Sequence, residues 1–238
     1  MPLDWFLRKP ASLDAGSSLQ KTKKSIMRSI NKEERKIQIY EKFKRFQDVV
    51  LSVLALIILL PVEIIIVFIV WIECPSVSPI YKQKRVGKDG KLFTLYKFRS
   101  MKPDADKELK RLQEMNEMDG PVFKIADDPR ITKCGKFIRK TGLDELPQLI
   151  NIIKGDMSIV GPRPPLPDEV KKYTKDQMVR LSVKQGLTCY WQIQHNRNQI
   201  HFEEWIELDK KYIKERGFLT DWKIILKTVN TIIHREGL

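Results

Sequence analysis

The richest group of chemically capable side chains lies in IRKTGLDELPQLINIIKGDMSIVGPRPP, residues 138–165. Asp144 and Glu145 are adjacent carboxylates within this segment. Thr141 is a residue type that caps helices, and the residues after it predict a helix over 143–153. The positive end of a helix dipole favours the ionised form of nearby carboxylates. We therefore expect both carboxylates to be charged at the start of this helix.

A charged carboxylate pair of this kind could bind a divalent cation together with a phosphate. Mg²⁺ usually takes one or two carboxylates and completes its shell with substrate phosphates, and Arg139 and Lys140 lie just upstream. Acidic residues in a first helical turn are also common without any catalytic role. The GPRPP loop favours the functional interpretation, because its prolines present Arg163 on a rigid backbone. We predict a Mg²⁺ site at Asp144 and Glu145.

Asp209 is a further carboxylate in an unusual position. The segment FEEWIELDKKYIKE predicts a helix with apolar residues every three or four positions, and Asp209 falls on this apolar stripe between Trp205 and Tyr212. A carboxylate on a buried face needs a cation or hydrogen-bond donors. Two interpretations stay open, namely a structural ion pair with an arginine and a role in an active site.

The charge balance and the missing motifs narrow the partners and the reaction classes. The chain has 44 Lys and Arg against 30 Asp and Glu, a formal net charge of +14. Such a charge suits nucleic acid, an anionic membrane surface or a phosphate-rich substrate. No GxxxxGK[ST], GxGxxG or GxSxG motif occurs, which argues against P-loop, Rossmann and α/β-hydrolase chemistry. The cysteines and histidines show no metal-binding or CxxC spacing, which fits a reducing cytoplasm.

The element that decides location is an apolar run over residues 49–72, VVLSVLALIILLPVEIIIVFIVWI. A helix of this length measures about 36 Å, enough to cross a hydrocarbon core of about 30 Å. Pro61 at its middle predicts a kink. Lysines and arginines flank both ends of the run, as they do in cytoplasmic loops. These features favour a bent, re-entrant helix with both ends in the cytoplasm, and a straight membrane span is the alternative.

The remaining patterns predict a mainly helical α+β fold. Residues 21–46 carry apolar residues every three or four positions among lysines, as in an amphipathic interfacial helix, although a plain solvated helix fits as well. IYKQKRV and KLFTLYKFRS around GKDG predict a small β-hairpin. Residues 102–118 predict a charged helix, and DWKIILKTVNTII predicts a last amphipathic helix. The chain divides into a basic N-terminal arm (1–41), a membrane helix (42–73) and a cytoplasmic catalytic domain (74–238).

Taken together, these residues resemble the bacterial sugar transferase family. Its monotopic polyprenyl-phosphate phosphoglycosyl transferases start exopolysaccharide, O-antigen and glycoprotein glycans. The resemblance covers about residues 42–236 and is highly specific in combination. It is carried by FKRFQD, KRVGKDGKLFTLYKFRSM, PVFKIADDPRITKCGKFIRKTGLDELPQLINIIKGDMSIVGPRPP and FEEWIELDKKYI.

The resemblance implies a covalent mechanism at the cytoplasmic face of the bacterial inner membrane. In that mechanism Asp144 attacks the sugar-bearing phosphate of a UDP-sugar, Mg²⁺ neutralises the diphosphate, and UMP leaves. Polyprenyl (undecaprenyl) phosphate then displaces the aspartyl intermediate, with Glu145 supporting the metal or deprotonating the acceptor. Family motifs place Arg163 near the uridine and other residues around the phosphates and the sugar. The full set of implied substrate-binding residues is Lys97, Arg99, Arg139, Pro162, Arg163, Arg197 and Asp209.

The sequence departs from the family pattern in three places. Leu60 precedes Pro61 where serine is frequent, TCYWQIQHNRNQIHF replaces more glycine-rich motifs around Arg197, and a short basic arm stands in place of the four-helix membrane region of larger members. We expect membrane lipids as partners and no nucleic acid. No motif indicates the sugar or the oligomeric state, and a homodimer stays open. The alternative is a non-catalytic, membrane-tethered binding protein, which accounts for the charge and the apolar run but not for DELPQL followed by GPRPP.

Overall fold

The structure of the protein is a computed structural model. It describes residues 14–108, 111–112, 116–117, 119–123, 125, 127–194 and 200–234. Residues 1–43 and 44–238 form two compact units. The first helix, α1 (Asp14–Glu73), contains the boundary between them.

The first unit is helical from Asp14 onward. Ile39 and Phe43 are exposed on this helix, and Lys36 Nζ pairs with Glu33 Oε1 at 2.7 Å. The helix predicted for the basic arm is therefore present in its described part. Its contact with lipid headgroups stays a prediction.

Within the described residues, α1 is the one helix that is long and apolar enough to cross a membrane. Most of its large apolar side chains are exposed, Ile58 among them, whereas Ile66 and Val70 are buried in the core of the second unit. Helix α1 has helical residues on both sides of Pro61. The predicted kink and the re-entrant course stay predictions.

The predicted hairpin is confirmed. Strands β1 (Ile80–Val86) and β2 (Leu92–Phe98) pair antiparallel, with Ile80 opposite Phe98 and Val86 opposite Leu92. A short 3₁₀ turn, Lys88–Gly90, joins them. Asp89 and Gly90 have φ angles of 56° and 77° there, and such left-handed conformations favour residues of these types.

A second, parallel pair of strands was not predicted. It consists of β3 (Ser158–Val160) and β4 (Gly186–Thr188). The Gly186 N–H donates to the Pro162 carbonyl at 2.9 Å. A Cβ atom added to Gly186 would lie 2.1 Å from the Gly161 nitrogen, so the two chain segments can approach only because no side chain separates them. This contact holds the GPRPP loop against β4.

The remaining helices belong to the second unit. They are α2 (Ala105–Glu108), α3 (Lys133–Lys140), α4 (Gln148–Lys154), α5 (Pro167–Val170), α6 (Phe202–Glu215) and α7 (Phe218–His234), with 3₁₀ turns at Leu143–Glu145 and Gln177–Leu181. The two predicted C-terminal helices are confirmed as α6 and α7. The charged helix predicted over 102–118 is wrong in extent, because the described part of that range holds only α2.

The single helix predicted over 143–153 is also wrong. Thr141 ends α3 instead of starting a new helix, and its hydroxyl donates to the Phe137 carbonyl at 3.0 Å. Gly142 follows with a φ of 71°, a left-handed conformation that ends a helix and turns the chain. Only a 3₁₀ turn forms before Pro147, which lacks an N–H and immediately precedes α4.

Two of the apolar clusters in the core of the second unit pack the helices on the strands. In the first, α4 packs on β2, and the buried members are Phe93, Leu95, Leu149, Ile152 and Met157. In the second, α6 and α7 pack on β3, and the buried members are Val160, Val183, Tyr212 and Ile224.

Helix α1 is tied to the two helices that flank Asp144 and Glu145 in the sequence. The Arg45 guanidinium donates to the carbonyl of Ile152 and, at 2.6 Å, to that of Ile153 in the last turn of α4. Glu73, at the other end of this part of α1, accepts a hydrogen bond of 3.2 Å from the Cys134 N–H in the first turn of α3. The apolar helix and the segment between α3 and α4 are thus fixed to each other.

Candidate active site

The two central carboxylates lie in the 3₁₀ turn Leu143–Glu145, between α3 and α4. Asp144 is buried and Glu145 is partly exposed. Lys97 reaches them from β2, which buries Phe93 and Leu95 on the same face of the strand. Strand β2 and the 3₁₀ turn, which are distant in the sequence, thus meet at the Lys97 ammonium.

The Lys97 ammonium divides its contacts unequally between the carboxylates. Its Nζ lies 2.6 Å from Glu145 Oε1 and 3.8 Å from Asp144 Oδ2. Burial, with a smaller contribution from the Glu145 carboxylate, raises the pKa of Asp144 to about 6, against the opposing effect of Lys97. Burial rather than a helix dipole therefore dominates at Asp144, contrary to the expectation from the sequence.

The pKa of Glu145 is shifted in the opposite direction, below its usual value. Burial raises the pKa of Glu145, but Lys97, Arg163 and Arg85 together outweigh that effect, so this pKa lies below its usual value. Adjacent carboxyl groups whose pKa values are pushed apart are a frequent mark of divided roles in catalysis. The environment makes Asp144 the more basic group and keeps Glu145 ionised.

A cavity of about 360 Å³ opens beside the pair. Arg139, Asp144 and Glu145 contribute charged groups to its lining. Another part of the lining is apolar and comes from α7, with Ile225, Val229 and Ile232. The cavity therefore has a charged region and an apolar region. This combination suits a ligand that has a phosphate group and a hydrocarbon chain.

A smaller, basic pocket of about 30 Å³ also borders Glu145. Its cationic side chains are Arg85, Lys97 and Arg163. Glu145, Leu187 and Gln192 line both this pocket and the larger cavity. The carboxylate pair is thus placed where a cationic pocket adjoins a partly apolar cavity.

The structure brings together most of the site residues expected from the sequence. Arg139 is exposed at the rim of the cavity, Pro162 is buried, and Arg163 Nη1 lies 3.9 Å from Glu169 Oε1. Arg99 lies elsewhere, where it donates to the Ser78 carbonyl at 2.8 Å. Arg197 lies outside the described residues.

Asp209 forms an ion pair in the interior of the protein. Its Oδ2 lies 2.7 Å from Arg180 Nη2, and both side chains are almost fully buried. Arg180 also donates to the Tyr173 hydroxyl at 2.9 Å. Burial raises the pKa of Asp209 to about 6, and Arg180 opposes this rise. Of the two interpretations left open by the sequence, these contacts favour the structural ion pair.

The carboxylate pair fits the donor set for Mg²⁺ predicted from the sequence. In the described residues no cluster of three or more His, Cys, Asp or Glu side chains could enclose a metal ion. Mg²⁺, however, is commonly bound by one or two carboxylates together with substrate phosphates. Asp144 lines the larger cavity, and Glu145 lines both pockets in which such phosphates could lie. Lys97 already neutralises part of their charge.

Comparison with known proteins assigns the chain to a family. Residues 39–235 match the sequence model of the family described as bacterial sugar transferase. The chain belongs to the bacterial sugar transferase family. The resemblance inferred from the sequence motifs is thereby confirmed.

Three relatives within this family illustrate the match. Galactosyl transferase CpsE of Streptococcus agalactiae serotype III (strain NEM316) is 47% identical over 195 residues, covering 82% of this chain and 43% of that protein. Undecaprenyl-phosphate galactose phosphotransferase of Salmonella typhimurium is 41% identical over 198 residues, covering 82% of this chain and 41% of that protein. UDP-glucose:undecaprenyl-phosphate glucose-1-phosphate transferase of Escherichia coli (strain K12) is 38% identical over 194 residues, covering 78% of this chain and 39% of that protein. The chain thus spans about two fifths of the length of these relatives.

Sequence reasoning overlooked two residues of this candidate site. Arg85 was counted only as part of a basic flank of the apolar run, yet it is buried and lines the basic pocket. The strand alternation of KQKRV was the available signal, since it places Arg85 on the opposite face from Lys84. Gln192 lines both pockets, and its position follows from the fold alone.

Proposed function

We propose that the protein transfers a sugar-1-phosphate from a UDP-sugar to polyprenyl (undecaprenyl) phosphate and releases UMP. The observation that carries this proposal is the position of Asp144 and Glu145 between a cationic pocket and a larger cavity with an apolar region. The cationic pocket suits the phosphates of a nucleotide sugar. The apolar region suits the hydrocarbon of a lipid phosphate. The names of the Salmonella and Escherichia relatives describe the same class of reaction.

The proposed reaction has two displacements at one phosphorus atom. A carboxylate oxygen of Asp144 attacks the sugar-bearing phosphorus, and the bond from that phosphorus to the bridging oxygen breaks, so UMP leaves with the electron pair. An oxygen of polyprenyl phosphate then attacks the same phosphorus and releases the Asp144 carboxylate. The product is a polyprenyl diphosphosugar. Such a division of one transfer into two steps is the general logic of nucleophilic catalysis.

The environment of each carboxylate supports this division of roles. A nucleophilic carboxylate must be ionised but need not be strongly paired, and Asp144 lies 3.8 Å from Lys97 Nζ. Glu145 instead accepts a direct 2.6 Å contact from the same ammonium. Lys97 therefore fixes Glu145 and offsets the negative charge that an incoming phosphate would otherwise meet. Arg139, on the rim of the larger cavity, adds a positive charge near the incoming phosphate.

Mg²⁺ is proposed as the cofactor, held by Asp144 and Glu145. When bound there, the ion would neutralise phosphate charge during the transfer. The remaining positive charge comes from the protein's own residues, since Lys97, Arg85 and Arg163 line the adjoining pocket. Productive binding therefore combines a divalent cation with fixed cationic side chains.

We further propose that the protein works at the cytoplasmic face of the bacterial plasma membrane. Helix α1 supplies an apolar stretch of membrane-crossing length, and the hydrogen bonds of Arg45 and Glu73 tie it to α4 and α3. The active site is thereby held close to the apolar helix. A lipid-linked acceptor could then present its phosphate to Asp144 without leaving the bilayer.

The nucleotide product tests this proposal. The purified protein in lipid nanodiscs is incubated with Mg²⁺, undecaprenyl phosphate and a panel of UDP-sugars, including UDP-glucose, UDP-galactose and a UDP-linked N-acetylated diamino sugar. We expect UMP and a lipid-linked diphosphosugar in equal amounts from at least one donor, and loss of both with a chelator. Release of UDP instead of UMP would assign the protein to ordinary glycosyl transfer. Absence of any nucleotide product across the panel would favour the non-catalytic binding protein.

A further inference from the structure

Arg85 is a buried arginine that is held by neutral groups. Its side chain belongs to the second unit's interior, with 7% relative exposure for the residue. The guanidinium donates to Gln83 Oε1 through Nε at 3.1 Å and through Nη2 at 2.7 Å. Nη1 donates to the Pro164 carbonyl at 2.9 Å. None of these acceptors carries a charge, so they orient the guanidinium without neutralising it.

The fold aims Arg85 toward the same region as Lys97. In the register of the hairpin, Arg85 lies opposite Phe93 and Tyr81 lies opposite Lys97. Side chains two residues apart on a strand share a face, so Arg85 and Lys97 project from one face of the hairpin. Both line the basic pocket that Glu145 borders.

The charges around this pocket do not balance. Among the described residues, Lys97 pairs with Glu145 at 2.6 Å, and Arg163 approaches Glu169 at 3.9 Å. Arg85 has no carboxylate within ion-pair distance in the described part of the chain. Burial and the neighbouring Arg163 lower the pKa of Arg85 to about 10, against the weaker opposing effects of Glu169 and Glu145. A buried and unmatched cation is unfavourable unless an anion completes its environment.

Three N–H groups of the Arg85 guanidinium are used in the hydrogen bonds described above. The remaining N–H groups have no acceptor among the described residues. A guanidinium can donate two parallel hydrogen bonds to a phosphate, which makes arginine well suited to phosphate recognition. The missing anion at this position is therefore expected to carry phosphoryl oxygens.

We propose that Arg85 is a substrate-binding residue that holds the diphosphate of the nucleotide donor, with Gln83 as the positioning residue that keeps its charge available. The proposal rests on the proposed function, because that function supplies a nucleoside diphosphate as the ligand. The neutral side chain of Gln83 is essential to this proposal, because it positions the Arg85 guanidinium without neutralising its charge. A glutamate at this position could accept the same hydrogen bonds, but it would neutralise Arg85 and repel the incoming phosphates.

A purely structural role for Arg85 predicts a different result at position 83. If Arg85 only linked β1 to the GPRPP loop, Gln83→Glu would preserve or strengthen that link, because hydrogen bonds between charged groups are stronger than neutral ones. Ligand binding would then be unchanged. The single oxygen-for-nitrogen exchange therefore separates the two roles, whereas removal of the buried Arg85 side chain could also disturb folding.

The experiment measures binding of UDP and of inorganic pyrophosphate to the protein in nanodiscs by isothermal titration calorimetry with Mg²⁺ present. We expect Gln83→Glu to raise the Kd for both probes by about tenfold or more, without lowering the melting temperature. Arg85→Lys, which keeps the charge but loses the planar fork, should cause a smaller rise. The matched control is Lys84→Gln, which changes net charge by the same amount on the other face of β1 and should leave both Kd values within about twofold.

Each outcome bears on the proposal. Unchanged UDP and pyrophosphate binding in Gln83→Glu, or no binding of either probe to the wild-type protein, would overturn it. An equal loss of binding in Lys84→Gln would also overturn it, since the effect would then arise from net charge. Wild-type protein that binds UDP but forms no UMP from UDP-sugars would contradict the proposed function. In that case, selective loss of binding in Gln83→Glu would still support Arg85 as the diphosphate-binding residue.

Discussion

Lys97 Nζ lies 2.6 Å from Glu145 Oε1 but 3.8 Å from Asp144 Oδ2. This one ammonium therefore contacts two adjacent carboxylates unequally, in addition to their different burial. The ion pair holds the Glu145 side chain in place. The pKa of Glu145 is lowered because the effect of the surrounding cations outweighs that of burial. Asp144 keeps a buried carboxylate whose pKa is raised to about 6 by that burial. This asymmetry supports the proposal that Asp144 is the group that attacks phosphorus.

Asp144→Asn should abolish turnover and trapping of the phosphosugar on the protein. The amide has almost the same shape as the carboxylate but is a poor nucleophile. Mass spectrometry of protein incubated with the UDP-sugar alone, without lipid acceptor, measures the trapped adduct directly. Glu145→Gln should severely impair turnover. Wild-type activity in Asp144→Asn would show that another residue is the nucleophile.

The pH dependence of kcat/KM for the donor should report the ionisation of Asp144. The carboxylate must be ionised to attack, so the wild-type value should fall as the pH is lowered through about 6. Lys97 lowers the pKa of Asp144. Lys97→Met should therefore move this acidic limb to higher pH and reduce kcat/KM at neutral pH by about a hundredfold.

The comparison needs one fixed Mg²⁺ concentration, because a bound cation changes the pKa of its ligands. Lys102→Met, which removes an exposed lysine, serves as the control and should leave the profile in place. An acidic limb that stays at the same pH in Lys97→Met would show that Lys97 does not act on the ionisation of Asp144.

The sequence predicted those parts of the fold that local patterns determine. GKDG between two alternating segments identified the hairpin, and the apolar spacing of FEEWIELDKKYIKE identified α6. The environment of Asp144 could not be predicted in the same way, because Lys97 lies 48 residues from its partner Glu145 in the sequence. The left-handed Gly142 and the three-residue strand β3 likewise depend on packing with distant segments.

Asp209→Asn should destabilise the protein rather than remove a reacting group. The change leaves Arg180 buried beside a neutral partner, and breaking a buried ion pair in this way costs about 3–5 kcal/mol. Thermal unfolding monitored by tryptophan fluorescence measures the loss. The double variant Arg180→Met with Asp209→Asn should recover part of the stability, because no buried charge is then left without a partner.

Activity of Asp209→Asn measured well below its melting temperature separates the structural role from a catalytic one. The folded fraction should keep a donor KM close to the wild-type value. If Asp209→Asn retained wild-type stability but lost turnover, the result would support a role for Asp209 in the active site.

The topology of α1 leads to the last prediction. Basic residues on both flanks of the apolar run and Pro61 at its middle predict that the N-terminal arm and the catalytic domain both face the cytoplasm. Single cysteines at Ser17 and at Lys107, with the three native cysteines replaced, can be labelled in intact spheroplasts with an impermeant maleimide. We expect neither position to react until the membrane is permeabilised. Labelling of position 17 from outside would establish a straight span.

Pro61→Leu tests, within the same assay, whether the predicted bend depends on the proline. Leucine restores the backbone N–H that proline lacks and removes the ring that clashes with the preceding turn, so the helix should straighten and favour the spanning form. Position 17 should then become accessible from outside in part of the molecules, and UMP release should fall, because the Arg45 and Glu73 contacts would carry α4 and α3 with the displaced helix. Val62→Leu changes the neighbouring apolar residue without changing the backbone and should leave labelling and activity unchanged. Equal labelling of Pro61→Leu and wild type would show that the proline does not determine the topology.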